Sequence, residues 1–259
     1  MIIKVIVFFI LVYLSAMAYL FFTQGSKIFN FSFVEKVKPK VLSYCKECQE
    51  VKLKVKGAVL DGVFKDENSS KLIIYFGGNA DDATDFIKYT KDLKGFDVVA
   101  YNYRGNALSS GKPNEKKLLK DALKIYDAYS KNKEVILVGR SLGSGIATYV
   151  ASKRKVKGVL LITPYDSIEN IAKSRYPFFP ISFLLKYKFD SYKFVKNVSA
   201  PVSIFMVKDD QTVSNRRTKN LMKYIKDLFY VKIFKNATHA NILEEKEFQG
   251  ELKTAILKF

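Results

Sequence analysis

Short apolar segments rich in β-branched residues alternate with helical patterns along most of this chain of 259 residues. Such alternation predicts βαβ units and an α/β fold with a mostly parallel central sheet flanked by helices. The predicted strands are 72–76, 96–101, 135–138, 159–162, 202–207 and 229–234. The predicted helices are 81–91, 115–129, 142–153, 214–226 and 242–257. Before them, residues 51–56 and 58–64 alternate like an antiparallel hairpin.

The third of these strands ends in a G-x-S-x-G pattern centred on Ser141, and a helical pattern follows at once. This strand-turn-helix context is typical of a nucleophile elbow, which makes Ser141 the candidate nucleophile. Gly139 and Gly143 fit the sharp turn, because strand and helix backbones approach too closely there for side chains. The alternative is a structural turn, since small-residue turns with a serine are common.

A general base near neutral pH is most often an imidazole, and His239 is the only histidine in the chain. In this chain order an acid should lie between the serine and the histidine, where it would orient the imidazole. Asp210 and Asp209 directly follow the predicted strand 202–207, and Asp210 is the preferred candidate. Asp166 is a third possibility, and each of these acids could instead be a turn or cap residue.

Acyl transfer also requires hydrogen-bond donors that face the developing oxyanion. The backbone N–H of Leu142, directly after the nucleophile, is one candidate, and the loop after an earlier strand supplies the other. Gly77-Gly78-Asn79 follows the strand 72–76, and we expect the backbone N–H of Asn79 to be the second donor. The same glycines could alternatively form only a flexible turn.

The chain resembles the α/β-hydrolases, in particular the single-pass, membrane-anchored serine hydrolases of the Bem46-like and α/β-hydrolase-domain (ABHD) type. The motifs that carry this resemblance are Phe76-Gly77-Gly78-Asn79-Ala80, Tyr101-Asn102-Tyr103-Arg104-Gly105, Ser109-Ser110-Gly111-Lys112-Pro113, Gly139-Arg140-Ser141-Leu142-Gly143 and Pro164-Tyr165-Asp166-Ser167-Ile168, followed by Asp210 and His239. Three positions depart from the pattern: Gly77 replaces a histidine, Val207 a glycine and Ser214 a proline. The resemblance implies an α/β-hydrolase fold and a serine hydrolase that uses neither cofactor nor metal.

The segment 165–198 interrupts the alternation of strands and helices and is strongly apolar and aromatic. We interpret it as a short lid insertion over the active site. Its candidate substrate-binding residues are Tyr165, Phe178, Phe179 and Phe183. These aromatic side chains could instead pack over the edge of the sheet.

Residues 2–22 are almost continuously apolar, with Lys4 the only charged residue, and about 20 such residues match the hydrocarbon thickness of a bilayer. We therefore predict a membrane anchor over 1–24, a juxtamembrane segment over 25–50 and a hydrolase domain over 51–259. A cleavable secretory signal is the alternative, because Ala16-Met17-Ala18 resembles a cleavage site. The distribution of lysines around the span leaves open which side of the membrane the domain faces.

The chain has two cysteines, Cys45 and Cys48. Their C-x-x-C spacing is compatible with a redox centre, half a zinc site or a local disulfide, but two reduced cysteines are the simplest expectation and a disulfide the next.

The formal net charge of the chain is +19. This positive charge favours anionic surfaces, and beside a membrane span anionic lipid is the expected partner. The lysines form no recognisable nucleic-acid motif, so no nucleic-acid partner is expected.

These features together predict a membrane-anchored serine hydrolase that cleaves ester or thioester bonds of lipid-like or acylated substrates. Ser141, His239 and Asp210 would form its triad. Two alternatives stay open: a peptidase or amidase on the same fold, and a catalytically silent membrane scaffold.

Overall fold

The structure is a computed structural model that describes residues 1–31 and 34–259. Its centre is an eight-stranded sheet with the strand order β1-β2-β4-β3-β5-β6-β7-β8. The strands are β1 Cys48–Val55, β2 Ala58–Lys65, β3 Lys71–Phe76, β4 Asp97–Tyr101, β5 Glu134–Arg140, β6 Gly158–Ile162, β7 Val202–Val207 and β8 Leu228–Phe234. The helices are α1 Ile2–Ile28, α2 Glu115–Tyr129, α3 Leu142–Ala151, α4 Ile168–Arg175, α5 Ile181–Leu184, α6 Ser191–Val195, α7 Asn215–Met222 and α8 Phe248–Leu257.

Strand pairing divides the sheet into an antiparallel edge and a parallel body. β1 pairs antiparallel with β2, and β2 pairs antiparallel with β4. The remaining neighbours, from β4 through β3 to β8, are all parallel. The predicted α/β fold with a mostly parallel sheet is confirmed, as is the antiparallel hairpin that precedes it.

Alternate side chains of the central strands enter two separate cores, one on each face of the sheet. In β3, Leu72 and Ile74 join the core that contains residues of α2 and α3. Ile73 and Tyr75 join the opposite core, which contains residues of α8. Because both faces are covered by helices, the central strands are apolar throughout.

Two of the predicted helices differ from the observed elements. The segment predicted over 81–91 is a 3₁₀ helix, Ala83–Thr90, whose first turn is capped by the Asp82 carboxylate accepting from the Thr84 N–H. The segment predicted over 242–257 divides into a 3₁₀ turn, Ile242–Glu244, and α8, because the backbone at Glu245 is extended.

The region before the sheet contains a disulfide. Cys45 and Cys48 are joined to each other between a 3₁₀ turn, Lys40–Ser43, and the start of β1. The expectation of two reduced cysteines is therefore wrong, and the local disulfide is the arrangement present.

α1 is the one helix among residues 1–31 and 34–259 that is long and apolar enough to cross a membrane.

A buried ion pair fixes the loop after β4. Arg104 donates two hydrogen bonds to the Asp121 carboxylate on α2, both at 2.7 Å, and its side chain is only 2% exposed. Burial raises the pKa of the Asp121 carboxyl despite the opposing effect of these hydrogen bonds. Desolvation of this pair therefore lowers the stability of the folded state, and loss of either partner should lower it further.

We expect Asp121→Ala to lower the free energy of unfolding by about 3–5 kcal/mol, because it leaves the Arg104 charge buried without a partner. Asp127→Ala is the matched control on the same helix. Asp127 accepts two hydrogen bonds from Arg154, but this pair is solvent-exposed and should be worth less than about 1 kcal/mol. Denaturant unfolding of the two full-length variants measures both values, and equal losses would contradict this ranking.

Candidate active site

Ser141 lies at the turn from β5 into α3 with φ at 47°, a backbone conformation that non-glycine residues rarely adopt. The turn is possible because its glycines lie against neighbouring backbone. A Cβ at Gly143 would overlap the carbonyl of Phe76 at the end of β3, and one at Gly139 would lie 2.7 Å from the Ala147 Cβ. The G-x-S-x-G pattern thus has the steric reason that the sequence suggests.

His239 lies between Ser141 and Asp210 and contacts both. Its Nδ1 is 2.8 Å from Asp210 Oδ2, and its Nε2 is 2.9 Å from Ser141 Oγ. A carboxylate can only accept, so Nδ1 carries the proton and donates, while Nε2 accepts from the serine hydroxyl. This is the arrangement that general-base activation of a serine requires.

The structure separates the three candidate acids. The Asp210 side chain is only 3% exposed, and its second oxygen accepts from the backbone N–H groups of Thr212 and Val213. Asp209 is exposed. Asp166 is buried elsewhere, where its carboxylate accepts from Asn170 and Asn220. Of the three, Asp210 is the carboxylate that contacts the imidazole.

Asn79 and Leu142, the candidate oxyanion donors, line the same pocket as Ser141. The loop that carries Asn79 is held by side chains from the segment after β4. The Tyr103 hydroxyl donates to the Gly77 carbonyl at 2.8 Å, and the Asn106 amide donates to the Asp81 carbonyl at 2.8 Å. The Tyr-Asn-Tyr-Arg-Gly motif and the residue after it therefore have a structural role in fixing this loop.

Arg140 connects the loop that carries Asn79 with the loop that carries His239. The sequence alone does not reveal this role. Its guanidinium donates to the backbone carbonyls of His239 and Ala240 at 2.8 and 2.9 Å, and also pairs with the Asp81 carboxylate. The other Asp81 oxygen accepts from the Gly78 N–H at 2.7 Å. Burial lowers the pKa of Arg140, but Asp81 outweighs this and raises it overall. The signal available in the sequence was a charged residue at the end of an apolar strand.

An apolar pocket of about 200 Å³ opens beside Ser141. Its walls come from the loops that carry Asn79, Ser141 and Thr212, from the predicted lid and from α1. The lining residues are Leu20, Gln24, Lys27, Ile28, Asn79, Ser141, Leu142, Tyr165, Ile168, Ile171, Ala172, Arg175, Tyr176, Ile181, Leu184, Leu185, Thr212 and Val213.

Of the four aromatic residues expected to bind substrate, only Tyr165 lines this pocket. Phe178 and Phe183, both in the predicted lid, are 86% and 87% exposed. Phe179 stacks on Tyr13 of α1, with ring centroids 5.2 Å apart. The structure thus does not bring these three phenylalanines into the pocket beside Ser141. Phe178 and Phe179 lie in the turn between α4 and α5, and Phe183 lies on the exposed side of α5, whereas aliphatic residues of α4 and α5 line the pocket.

Comparison with known proteins agrees with this architecture. A family model for the alpha/beta hydrolase fold matches residues 71–195. An esterase of Pyrococcus furiosus, Pf2001, superposes with a TM-score of 0.67 and 18% identity, covering 87% of this chain and 97% of that one. An alpha-beta hydrolase of Vibrio vulnificus gives a TM-score of 0.70 at 19% identity, with 91% of each chain covered. The chain therefore has the alpha/beta hydrolase fold, in agreement with the resemblance seen in its motifs.

More similar sequences include two ABHD-type proteins. The chain is 31% identical over 176 residues to the lysophosphatidylserine lipase ABHD12 of Macaca fascicularis, covering 56% of this chain and 43% of the relative. It is 31% identical over 188 residues to protein ABHD12B of Homo sapiens, covering 62% and 52%. The matched region thus spans about half the length of these relatives.

Among residues 1–31 and 34–259, no cluster of three or more His, Cys, Asp or Glu side chains could hold a metal ion.

The close approach at Gly143 predicts a stability difference between two glycine substitutions in helices. Gly143→Ala should lower the free energy of unfolding by more than about 1 kcal/mol, because the new methyl group meets the Phe76 backbone. Gly250→Ala, in α8, meets no atom within 4 Å and should raise it by about 0.5–1 kcal/mol. Urea unfolding tests the prediction, and a stabilising Gly143→Ala would contradict it.

Arg140→Met should lower the free energy of unfolding by about 3 kcal/mol, since it leaves Asp81 unpaired and two loop carbonyls without donors. Arg154→Met removes a partly exposed arginine that pairs with Asp127 and should lower the free energy of unfolding by less than about 1 kcal/mol. Thermal and denaturant unfolding compare the two variants. Similar losses would show that Arg140 does not connect the loops in the way described.

Proposed function

We propose that this protein is a membrane-anchored serine hydrolase that cleaves ester or thioester bonds of lipid-like or acylated substrates. The observation that carries the proposal is the position of His239, in hydrogen-bond contact with both Ser141 and Asp210 beside an apolar pocket. The hydrolase fold provides the framework, and the polar contacts supply the chemistry.

The first half of the reaction acylates Ser141. As Ser141 Oγ attacks the substrate carbonyl carbon, its proton passes to His239 Nε2, and Asp210 stabilises the resulting imidazolium through Nδ1–H. The carbonyl oxygen becomes an oxyanion, which the backbone N–H groups of Asn79 and Leu142 stabilise. When the tetrahedral intermediate collapses, the alcohol or thiol leaves with the proton from Nε2.

The second half returns the enzyme to its starting state. His239 Nε2 takes a proton from a water molecule, and the resulting hydroxide attacks the acyl carbon on Ser141. Collapse of the second tetrahedral intermediate releases the carboxylic acid, while Nε2 returns its proton to Ser141 Oγ. Every step uses side-chain and backbone groups of this chain together with water.

Lipid-like substrates are favoured by the pocket and by the relatives. Aliphatic side chains such as Ile168, Ile171 and Leu184 suit an acyl chain better than a polar group. One relative is a lysophosphatidylserine lipase by name, and it matches over less than half of its length. The proposal therefore extends to the class of acyl esters, with the headgroup left to experiment.

Membrane anchoring is supported by α1, whose 27 residues have a mean hydropathy of 2.6 over their most apolar stretch. At about 1.5 Å per residue the helix exceeds the roughly 30 Å of a bilayer's hydrocarbon core. We place the anchor within 1–24, the juxtamembrane segment at 25–50 and the catalytic domain at 51–259. The excess of lysine favours a membrane surface rich in anionic lipid.

Labelling of the full-length protein with a fluorophosphonate probe tests the nucleophile. Wild type should be labelled, whereas Ser141→Ala and His239→Ala should not be measurably labelled on the same timescale. Asp210→Asn should lower the kcat for a soluble ester about 10⁴-fold, because the imidazole loses the acceptor that fixes its tautomer. Asp209→Asn is the matched control, and its kcat should equal that of wild type.

Equal labelling of wild type and Ser141→Ala would overturn the serine-hydrolase proposal. An unlabelled wild type would favour the scaffold alternative. Faster Ser141-dependent cleavage of peptide amides than of acyl esters would instead favour a peptidase or amidase. If Asp209→Asn lost as much activity as Asp210→Asn, the assignment of the acid would be wrong.

A further inference from the structure

One face of α1 takes part in the pocket beside Ser141. Leu20, Gln24 and Ile28 lie four residues apart and therefore on the same side of the helix, and all three line the pocket. They are separated by more than 40 residues of sequence from the start of the region that matches the hydrolase family at residue 71. A helix that served only as a tether would have no reason to contribute to this wall.

Gln24 fixes α1 against the lid through both ends of its side-chain amide. Its Nε2 donates to the Leu184 carbonyl at 3.1 Å, and its Oε1 accepts from the Lys186 N–H at 2.6 Å. The residue is only 7% exposed and is the buried polar residue of a mostly apolar helix. Because a buried amide without partners is costly, this polar residue specifies how the helix and the lid meet.

The contact between α1 and the lid continues toward the N-terminus. The Tyr13 hydroxyl donates to the Phe178 carbonyl at 2.9 Å, in addition to the stacking of Tyr13 on Phe179. Tyr13 precedes Gln24 by 11 residues, which is about 16 Å along the helix. The lid thus follows α1 into the part of the helix that would lie in hydrocarbon.

The length of α1 sets the depth in the bilayer at which its pocket-lining residues lie. If the apolar span begins near Ile2, about 20 residues bring the helix through the hydrocarbon core, so Leu20 and Gln24 lie near the level where it leaves the bilayer. A pocket bounded there by α1 and the lid is accessible to an acyl chain that has not left the leaflet.

We infer that the C-terminal turns of α1 form one wall of the acyl site, so that the helix selects the acyl chain as well as attaching the domain to the membrane. The inference rests on the proposed function and deepens it. The substrate class is a long-chain acyl ester whose chain lies between Leu20 and Ile28 on one side and the lid helices α4 and α5 on the other.

The test is a chain-length profile, from acetyl to palmitoyl p-nitrophenyl esters, measured on full-length protein in phosphatidylcholine vesicles. Leu20→Trp should lower kcat/KM for the palmitoyl ester at least about 10-fold relative to the acetyl ester, because the indole fills the pocket. Leu20→Ala should shift the preference toward longer chains. Leu11→Trp is the matched control, since Leu11 is exposed and nine residues away, on the opposite side of the helix.

Hydrolysis of the acetyl ester reports the chemistry separately from the wall. If Leu20→Trp and Leu20→Ala leave the chain-length profile unchanged, or lower all esters by the same factor, the inference is wrong while the proposed function stands. An equal change of profile in Leu11→Trp would assign the effect to the bilayer and would likewise overturn it. If wild type shows no Ser141-dependent hydrolysis of any ester, both the inference and the proposed function fail.

Discussion

The guanidinium of Arg140 holds together loops that follow three different strands. It lies one residue before Ser141, pairs with Asp81 in the loop after β3, and donates to the carbonyls of His239 and Ala240 after β8. The candidate nucleophile, base and oxyanion donor are thereby positioned relative to the end of β5. Preorganisation of this kind matters because a catalytic group displaced by about 1 Å loses much of its effect.

Much of the fold could be predicted from the sequence because the signals are local. The central strands are apolar on both faces, which a simple alternation of apolar segments and helical patterns reveals. The elbow at Ser141 is equally local, since Gly139 and Gly143 are close to it in the chain. The contact of His239 with Asp210 and Ser141 needs the three-dimensional fold, but chain order and the scarcity of histidine were sufficient to select the same residues.

The parts that could not be predicted depend on side-chain direction. The aromatic residues of the lid suggested an acyl pocket by composition, yet Phe178 and Phe183 face outward and the aliphatic residues of α4 and α5 face inward. Asp81 and Arg140 are 59 residues apart in sequence, so neither reveals the other's role until the sheet brings them together. The Cys45–Cys48 disulfide also lies outside prediction, because C-x-x-C spacing is equally compatible with free thiols.

The presence of a single imidazole has a spectroscopic consequence. In protein labelled with ¹⁵N only at histidine, every side-chain signal arises from His239, so the spectrum needs no assignment. The shifts of Nδ1 and Nε2 differ between the two tautomers and the imidazolium, and each form would therefore be visible directly at the centre of the site.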